Sequence, residues 1–236
     1  MSTLPYTLDT DDPAAPPIGL IVLQADETLE PEMRQYFRDH PSPVYVSRIA
    51  SAPEVTRDDL AAMAPGLSQA ADLLPKARAF AAVGYGCTSA SAVIGSQKVE
   101  ALVRQSCATA HVTDPLRAAT ACAAHLGVSR FALLSPYIAE VSAPLRAAFA
   151  RAGISTEVFG SFGEAQEAKV ARISQGSIIE AATALGSDPN VDAVFISCTN
   201  LKTRTAIPEI RERLGKPVLS SNQSLAWHTQ RLALAQ

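Results

Sequence analysis

The sequence predicts an α/β protein of two pseudo-symmetric Rossmann-like lobes, each a mostly parallel sheet flanked by helices, with the active site in the cleft between them. Three observations lead there. Short apolar runs rich in β-branched residues alternate with longer amphipathic stretches, as strands covered on both faces do. The alternation restarts halfway along the chain. A Cys-Thr pair also ends an apolar run in each half, GCTS at 86–89 and SCTNL at 197–201, with Cys87 and Cys198 standing 111 positions apart.

In chain order, IGLIVL at 18–23 is the first strand, and helical periodicity follows over 27–38. VYVSRI at 44–49 is a second strand, and a helical stretch over 57–76 is opened by Thr56 ahead of Arg-Asp-Asp, an N-terminal signal. FAAVGYG at 80–86 runs through the Gly-Cys turn into a helical stretch over 89–105, and ATAHV at 108–112 enters another helix through VTDPLRAA. The second half repeats this plan with strands FALLS, TEVFGSF, VDAVFIS and PVLSS, and helices near 138–151, 174–185, 205–213 and 223–233. Strand alternating with helix implies a parallel sheet. The lobes are placed at 18–128 and 129–236, behind a flexible Pro- and Asp-rich tail over 1–17. GSFGEAQEA at 160–168 suits either a flap over the cleft or an ordinary connection.

Composition narrows the function. With 236 residues, 47% hydrophobic and 18% charged, and a formal net charge of −3, the chain reads as a globular protein without a nucleic-acid footprint. No apolar run is long enough to span a bilayer and no secretory signal opens the chain, so the expected location is the cytoplasm. Four cysteines at wide spacing make neither a disulfide framework nor a zinc site. No metal or cofactor is called for. Cys107 and Cys122 read as small core residues, and His111, His125, His228 and Trp227 as structural.

Ligands of open parallel sheets bind beyond the carboxyl ends of the strands. Asp26, Cys87, Thr88, Ser89, Thr113, Asp114, Tyr137, Cys198, Thr199, Asn200, Ser221 and Asn222 all fall there, and Tyr137 stands 111 positions from Asp26. A cysteine at the first turn of a helix meets unpaired N–H groups that stabilise its thiolate and lower its pKa below about 8.5. Those N–H groups, with the hydroxyls of Thr88, Ser89 and Thr199, suit a carboxylate. Two opposed thiols suit two-sided chemistry on a planar intermediate, either racemisation or cis–trans isomerisation.

These tracts, with SPY at 135–137 and VARIS at 170–174, resemble the aspartate/glutamate racemase superfamily, in the branch of maleate cis–trans isomerases and arylmalonate decarboxylases. The resemblance covers nearly the whole chain from Ile18. It implies that Cys87 and Cys198 are the catalytic pair, with Cys87 the nucleophile in a double-bond isomerisation, and that Tyr137 hydrogen-bonds a substrate carboxylate. It also implies homo-oligomers; the reading adopted is a small carboxylic acid substrate, an amino acid or ectoine-type compound, with Thr88, Ser89, Thr199 and Asn200 binding its carboxylate oxygens. The decarboxylases of the branch have glycine at the first cysteine position, so isomerase or racemase chemistry is favoured here. A decarboxylase using Cys198 alone and a non-catalytic ligand-binding regulator are the rivals.

Two departures from the isomerase pattern bear on substrate. Asp26 and Glu167 stand where those isomerases carry asparagine. A carboxylate beside a dianion is repulsive by up to several kcal/mol at low dielectric, which argues against maleate. A substrate with a positive centre would pair with Asp26, which is also placed to cap a helix. IGLIVLQADET, VGYGCTSAS and VLSSNQSLAWH look closest to ectoine-utilisation (EutA-like) proteins, and ectoine is a cyclic amidine acid.

Overall fold

In the computed structural model, which describes residues 3–8 and 15–235, two four-stranded parallel sheets carry the same strand order. The first sheet is β2-β1-β3-β4, from β1 (Ile18–Leu23), β2 (Val44–Ile49), β3 (Phe80–Gly86) and β4 (Thr109–Thr113). The second is β6-β5-β7-β8, from β5 (Phe131–Ser135), β6 (Phe159–Ser161), β7 (Ala193–Ile196) and β8 (Val218–Ser220). The inner strands β1, β3, β5 and β7 are buried along their whole length, which is why they read as unbroken apolar runs. The tail assignment over 1–17 falls partly outside the described residues.

Two stretches expected as single helices are each divided. Residues 57–76 form α2 (Arg57–Ala62) and α3 (Ala64–Asp72), broken at Met63 ahead of Pro65, whose ring and missing N–H interrupt the ladder. Residues 89–105 form α4 (Thr88–Ile94) and α5 (Ser96–Arg104), broken at Gly95 with φ +90°, a conformation that glycine tolerates. Between β1 and β2 lies α1 (Leu29–Tyr36), and α6 (Pro115–Leu126) follows β4 behind the side-chain cap of Asp114. The second half holds α7 (Ala139–Arg151), a single turn α8 (Glu167–Val170), α9 (Gln175–Gly186), α10 (Ile207–Leu214) and α11 (Ser221–Leu234).

The last helix of each half crosses to the other sheet. Ala119, Cys122 and Ala123 of α6 pack with Phe131, Leu133 and Phe195 of β5 and β7. Leu225 and Ala226 of α11 pack with Ile18, Leu20 and Val22 of β1. This exchange presses the carboxyl ends of the two sheets together. Cys107 and Cys122 are buried within core clusters.

Gly86, the last residue of β3, lies under α1. A Cβ there would sit 2.1 Å from Leu29 Cδ2 and 3.2 Å from the Ile21 carbonyl oxygen. Gly86→Ala is expected to destabilise the protein by about 1–3 kcal/mol, the usual range for overpacking, read as a lower urea midpoint. An unchanged midpoint would show that α1 does not pack this closely on β3.

Candidate active site

Each strand that feeds the site ends where a polar or sulfur side chain is needed to hold the turn. Cys87 follows β3 and caps α4, its sulfur accepting from Ala90 N at 3.4 Å. Cys198 follows β7 but does not begin a helix. It lies in a turn at φ +94°, a strained conformation for a side-chain-bearing residue, costing of order 1–3 kcal/mol. Its backbone N–H donates to Ser221 Oγ at 3.1 Å, and its sulfur accepts from Asn200 N at 3.3 Å.

The cysteine turns are stitched together across the lobe boundary. Thr88 Oγ1 donates to Ser221 Oγ at 2.7 Å, so the hydroxyl that holds the Cys198 backbone also holds the residue after Cys87. Thr199 Oγ1 donates to the Gly86 carbonyl at 3.3 Å, and Asn222 Nδ2 donates to the Thr199 carbonyl at 2.9 Å. The site is closed: Cys87 is 6% exposed and Cys198 4%.

Tyr137, Glu167 and Asn200 form a continuous chain beside Cys198. Tyr137 Oη donates to Glu167 Oε1 at 2.6 Å and lies 3.0 Å from Cys198 Sγ. Asn200 Nδ2 donates to Glu167 Oε2 at 2.7 Å, while Asn200 Oδ1 accepts from Glu27 N at 2.9 Å. On the facing lobe Asp26 Oδ1 accepts from Thr28 N at 2.8 Å and Leu29 N at 2.7 Å, capping α1. Its Oδ2 is buried without a hydrogen-bond partner. The Thr199 hydroxyl lies beside it, but its one proton is committed to Gly86.

A cover closes over this cluster. Val55 N donates to the Ala165 carbonyl at 2.9 Å and Glu167 N to the Pro53 carbonyl at 3.0 Å, with Glu54 and Gln166 bridged antiparallel. The stretch 160–168 is therefore partly strand β6 and partly one half of this cover, and Glu167 hangs from it into the site.

Electrostatics correct one expectation. Both thiols are held above the ordinary range, not below it. Burial pushes Cys87 up to about 12, with the Ala90 N–H opposing and Glu167 and Asp26 adding to it. Cys198 is raised by burial first and then by Glu167. Desolvation outweighs the few N–H dipoles, so the resting sulfurs are thiols. The carboxyls of Asp26 and Glu167 are raised by burial too, despite their donors.

Thr88, Ser89, Thr199 and Asn200, expected to bind a carboxylate, line the same region. All four are buried at the site, but the protons of Thr88, Thr199 and Asn200 go to Ser221, Gly86 and Glu167. The Thr88–Ser221 and Thr199–Gly86 bonds join the lobes, whereas the Asn200–Glu167 bond lies within the second. Sequence reasoning passed over Glu32 of α1, which accepts from Thr203 N at 2.8 Å, Arg204 N at 2.9 Å and Asn222 Nδ2 at 2.9 Å. Nothing in an amphipathic ETLEPEM helix marks that glutamate as crossing to the other lobe. His228 pairs with Thr113 Oγ1 at 2.8 Å, its pKa lowered by burial to about 4, which fits a structural histidine.

Two parallel sheets, each with a buried cysteine just beyond a strand's carboxyl end, define a two-lobed α/β fold with a candidate site between the lobes. The family model for arylmalonate decarboxylase matches residues 18–236, and the chain belongs to that family. Arylmalonate decarboxylase of Bordetella bronchiseptica is 35% identical over 109 residues, 46% of this chain and 45% of that protein, so the aligned stretch spans under half of either. A liganded arylmalonate decarboxylase bearing glycine-to-cysteine and cysteine-to-serine substitutions superposes with TM-score 0.83 at 28% identity, covering 93% of each chain. Maleate isomerase of Pseudomonas putida S16, in complex with maleate, superposes with TM-score 0.80 at 21% identity over 89% of each chain, a likeness of fold. No helix among the described residues is long and apolar enough to cross a membrane.

Asp26 yields a pH test. A carboxyl whose folded-state pKa lies above its unfolded value of 3.8 contributes stability that is fully present below that pH and is lost as pH rises through the folded value. Asp26→Asn keeps the Oδ1 cap and removes the charge. Its stability relative to the native chain is expected to increase as pH rises from 3.8 toward neutrality, read from urea midpoints across the range. A difference independent of pH would mean that Asp26 is not a desolvated acid.

Proposed function

We propose that the protein is a racemase or isomerase of a small carboxylic acid that also carries a cationic centre, such as an amino acid or an ectoine-type amidinium acid. The observation that carries this reading is the meeting of Cys87 and Cys198 in one closed interlobe site, joined through Ser221 and the Gly86–Thr199 contact. One sulfur removes a proton from carbon as a thiolate, and the other returns a proton to the opposite face as a thiol. Tyr137 orients the Cys198 sulfur at 3.0 Å.

Substrate charge follows from the acids. Asp26 Oδ2 is a buried acceptor with no donor, and Glu167 lies close enough to raise the pKa of both sulfurs and to be raised by Asp26. A dianion placed here meets like charge at low dielectric, whereas an ammonium or amidinium supplies the donor that Asp26 lacks. The cation also favours thiolate formation at the adjacent sulfurs.

Decarboxylation is the second reading, favoured by the family to which the chain belongs. There Cys198 alone would protonate an enolate. Cys87→Ala and Cys198→Ala, assayed separately on amino acids, ectoine and an arylmalonate, distinguish the two. Two-sided chemistry predicts that each substitution lowers the rate by about 10²–10⁴-fold, the usual contribution of an acid or base. Release of carbon dioxide that survives Cys87→Ala would favour the decarboxylase. Absence of α-deuteration of any bound acid in deuterium oxide would favour a binding protein.

A further inference from the structure

The two sulfurs are not equivalent. Cys198 has a phenol within 3.0 Å, and that phenol has a carboxylate within 2.6 Å. Cys87 is held by a backbone N–H at 3.4 Å and has the Tyr85 phenol beside it, but that phenol, 3.9 Å from Met63 Sδ, has no carboxylate hydrogen-bonded to it among the described residues. A hydroxyl has one proton. If Tyr137 gives it to Glu167, it accepts from the Cys198 thiol. If Glu167 holds a proton and gives it to Tyr137, the phenol donates to a Cys198 thiolate.

From this geometry we infer that Glu167 and Cys198 share one proton through Tyr137, with Glu167 the store that makes Cys198 a base or restores it as an acid inside the closed site. The inference deepens the reading of a two-cysteine enzyme and rests on it for its use in turnover. The transfer balances within the chain. The S–H bond of Cys198 breaks as a new O–H bond forms on Tyr137, and the original Tyr137 O–H breaks as the Oε1–H bond of Glu167 forms. No proton enters or leaves, and the pair keeps one negative charge throughout.

Three features of the surroundings favour such sharing. The cover formed by residues 53–55 and 165–167 carries Glu167 and separates the site from bulk water, so a proton leaving Cys198 needs an internal acceptor. Glu167 is prepared to take one, since burial and then the Asp26 charge raise its pKa. Asn200 holds the second oxygen at 2.7 Å and leaves Oε1 for Tyr137. The titratable groups facing Glu167 are Tyr137, Cys198, Cys87 and Asp26. Lys169 and Arg172 turn outward to Glu164 at 3.8 Å and Glu27 at 2.9 Å. With no cation against it among the described residues, Glu167 is free to hold either charge state. It acts through Tyr137 and is a positioning residue for the sulfur's proton.

The test needs no substrate. Iodoacetamide reacts with the thiolate, and digestion with mass spectrometry reads Cys198 and Cys87 separately in one sample. An ordinary thiol gains reactivity by about tenfold per pH unit below its pKa, because each thiolate requires loss of a proton to solvent. A shared proton makes the thiolate fraction of Cys198 independent of pH while the pair holds one proton. The expected result is a flat Cys198 rate across neutral pH beside a steep Cys87 rate. In Glu167→Gln the Cys198 profile becomes steep, about tenfold per unit, and Tyr137→Phe lowers the flat rate. Equal steepness of both cysteines in the native protein overturns the inference. So does a flat Cys198 rate that Glu167→Gln leaves flat, which would report opening of the cover. Should Glu167→Gln fail to fold, Tyr137→Phe decides: a lowered Cys198 rate supports the sharing, and an unchanged flat rate overturns it. Loss of all turnover with the flat profile intact would sink the enzymatic reading and leave the shared proton standing.

Discussion

The cost of drying two carboxyls and two thiols in one chamber organises this molecule. Charges removed from water are expensive unless paired and hydrogen-bonded. Every unusual feature of the interlobe seam answers that cost. Asp26 spends one oxygen on the first turn of α1, and Glu167 receives a phenol and an amide. The sulfurs respond by keeping their protons. What is left over is Asp26 Oδ2, the single oxygen of these two acids without a donor.

The fold supplies the seam that makes this drying possible. With α6 covering the second sheet and α11 the first, neither half buries its core without the other. The carboxyl ends of β3 and β7 are thereby held face to face. Ser221 stands at the start of α11 and serves both cysteine turns at once, a use of one hydroxyl that fixes their relative placement. Glu32 and Asn222 lock the same seam from the α1 side. The positive φ of Cys198 is strain at the one turn that all these contacts over-determine.

Much of this was legible in the residues. Buried parallel strands leave unbroken apolar runs, so β1, β3 and β5 were bounded to the residue by IGLIVL, FAAVGYG and FALLS, and the more exposed edge strand β2 by the β-branched VYVSRI. The spacing of Cys87 from Cys198, and of Asp26 from Tyr137, located the corresponding strand ends of the two sheets. Helix interruption was harder, because Met63 and Gly95 sit inside periodic stretches and only Pro65 or the glycine's φ reveals the break. Thiol acidity was misjudged for a physical reason. The helix N-terminus at Cys87 is visible in sequence, but the burial that overrides it comes from the second lobe. Glu167 was found through family likeness, and its link to Cys198 depends on a phenol 30 positions away. Glu32 left no trace, since its partners are on the opposite lobe.

The central claim is that Cys87 and Cys198 address one small space from two sides. A trivalent arsenical, which binds two thiols only when both reach one arsenic atom, tests it most directly. The account predicts one arsenic per chain, bridging the Cys87 and Cys198 peptides and lost in either single alanine variant. Arsenic that fails to bind, or that bridges Cys107 or Cys122 instead, would contradict it.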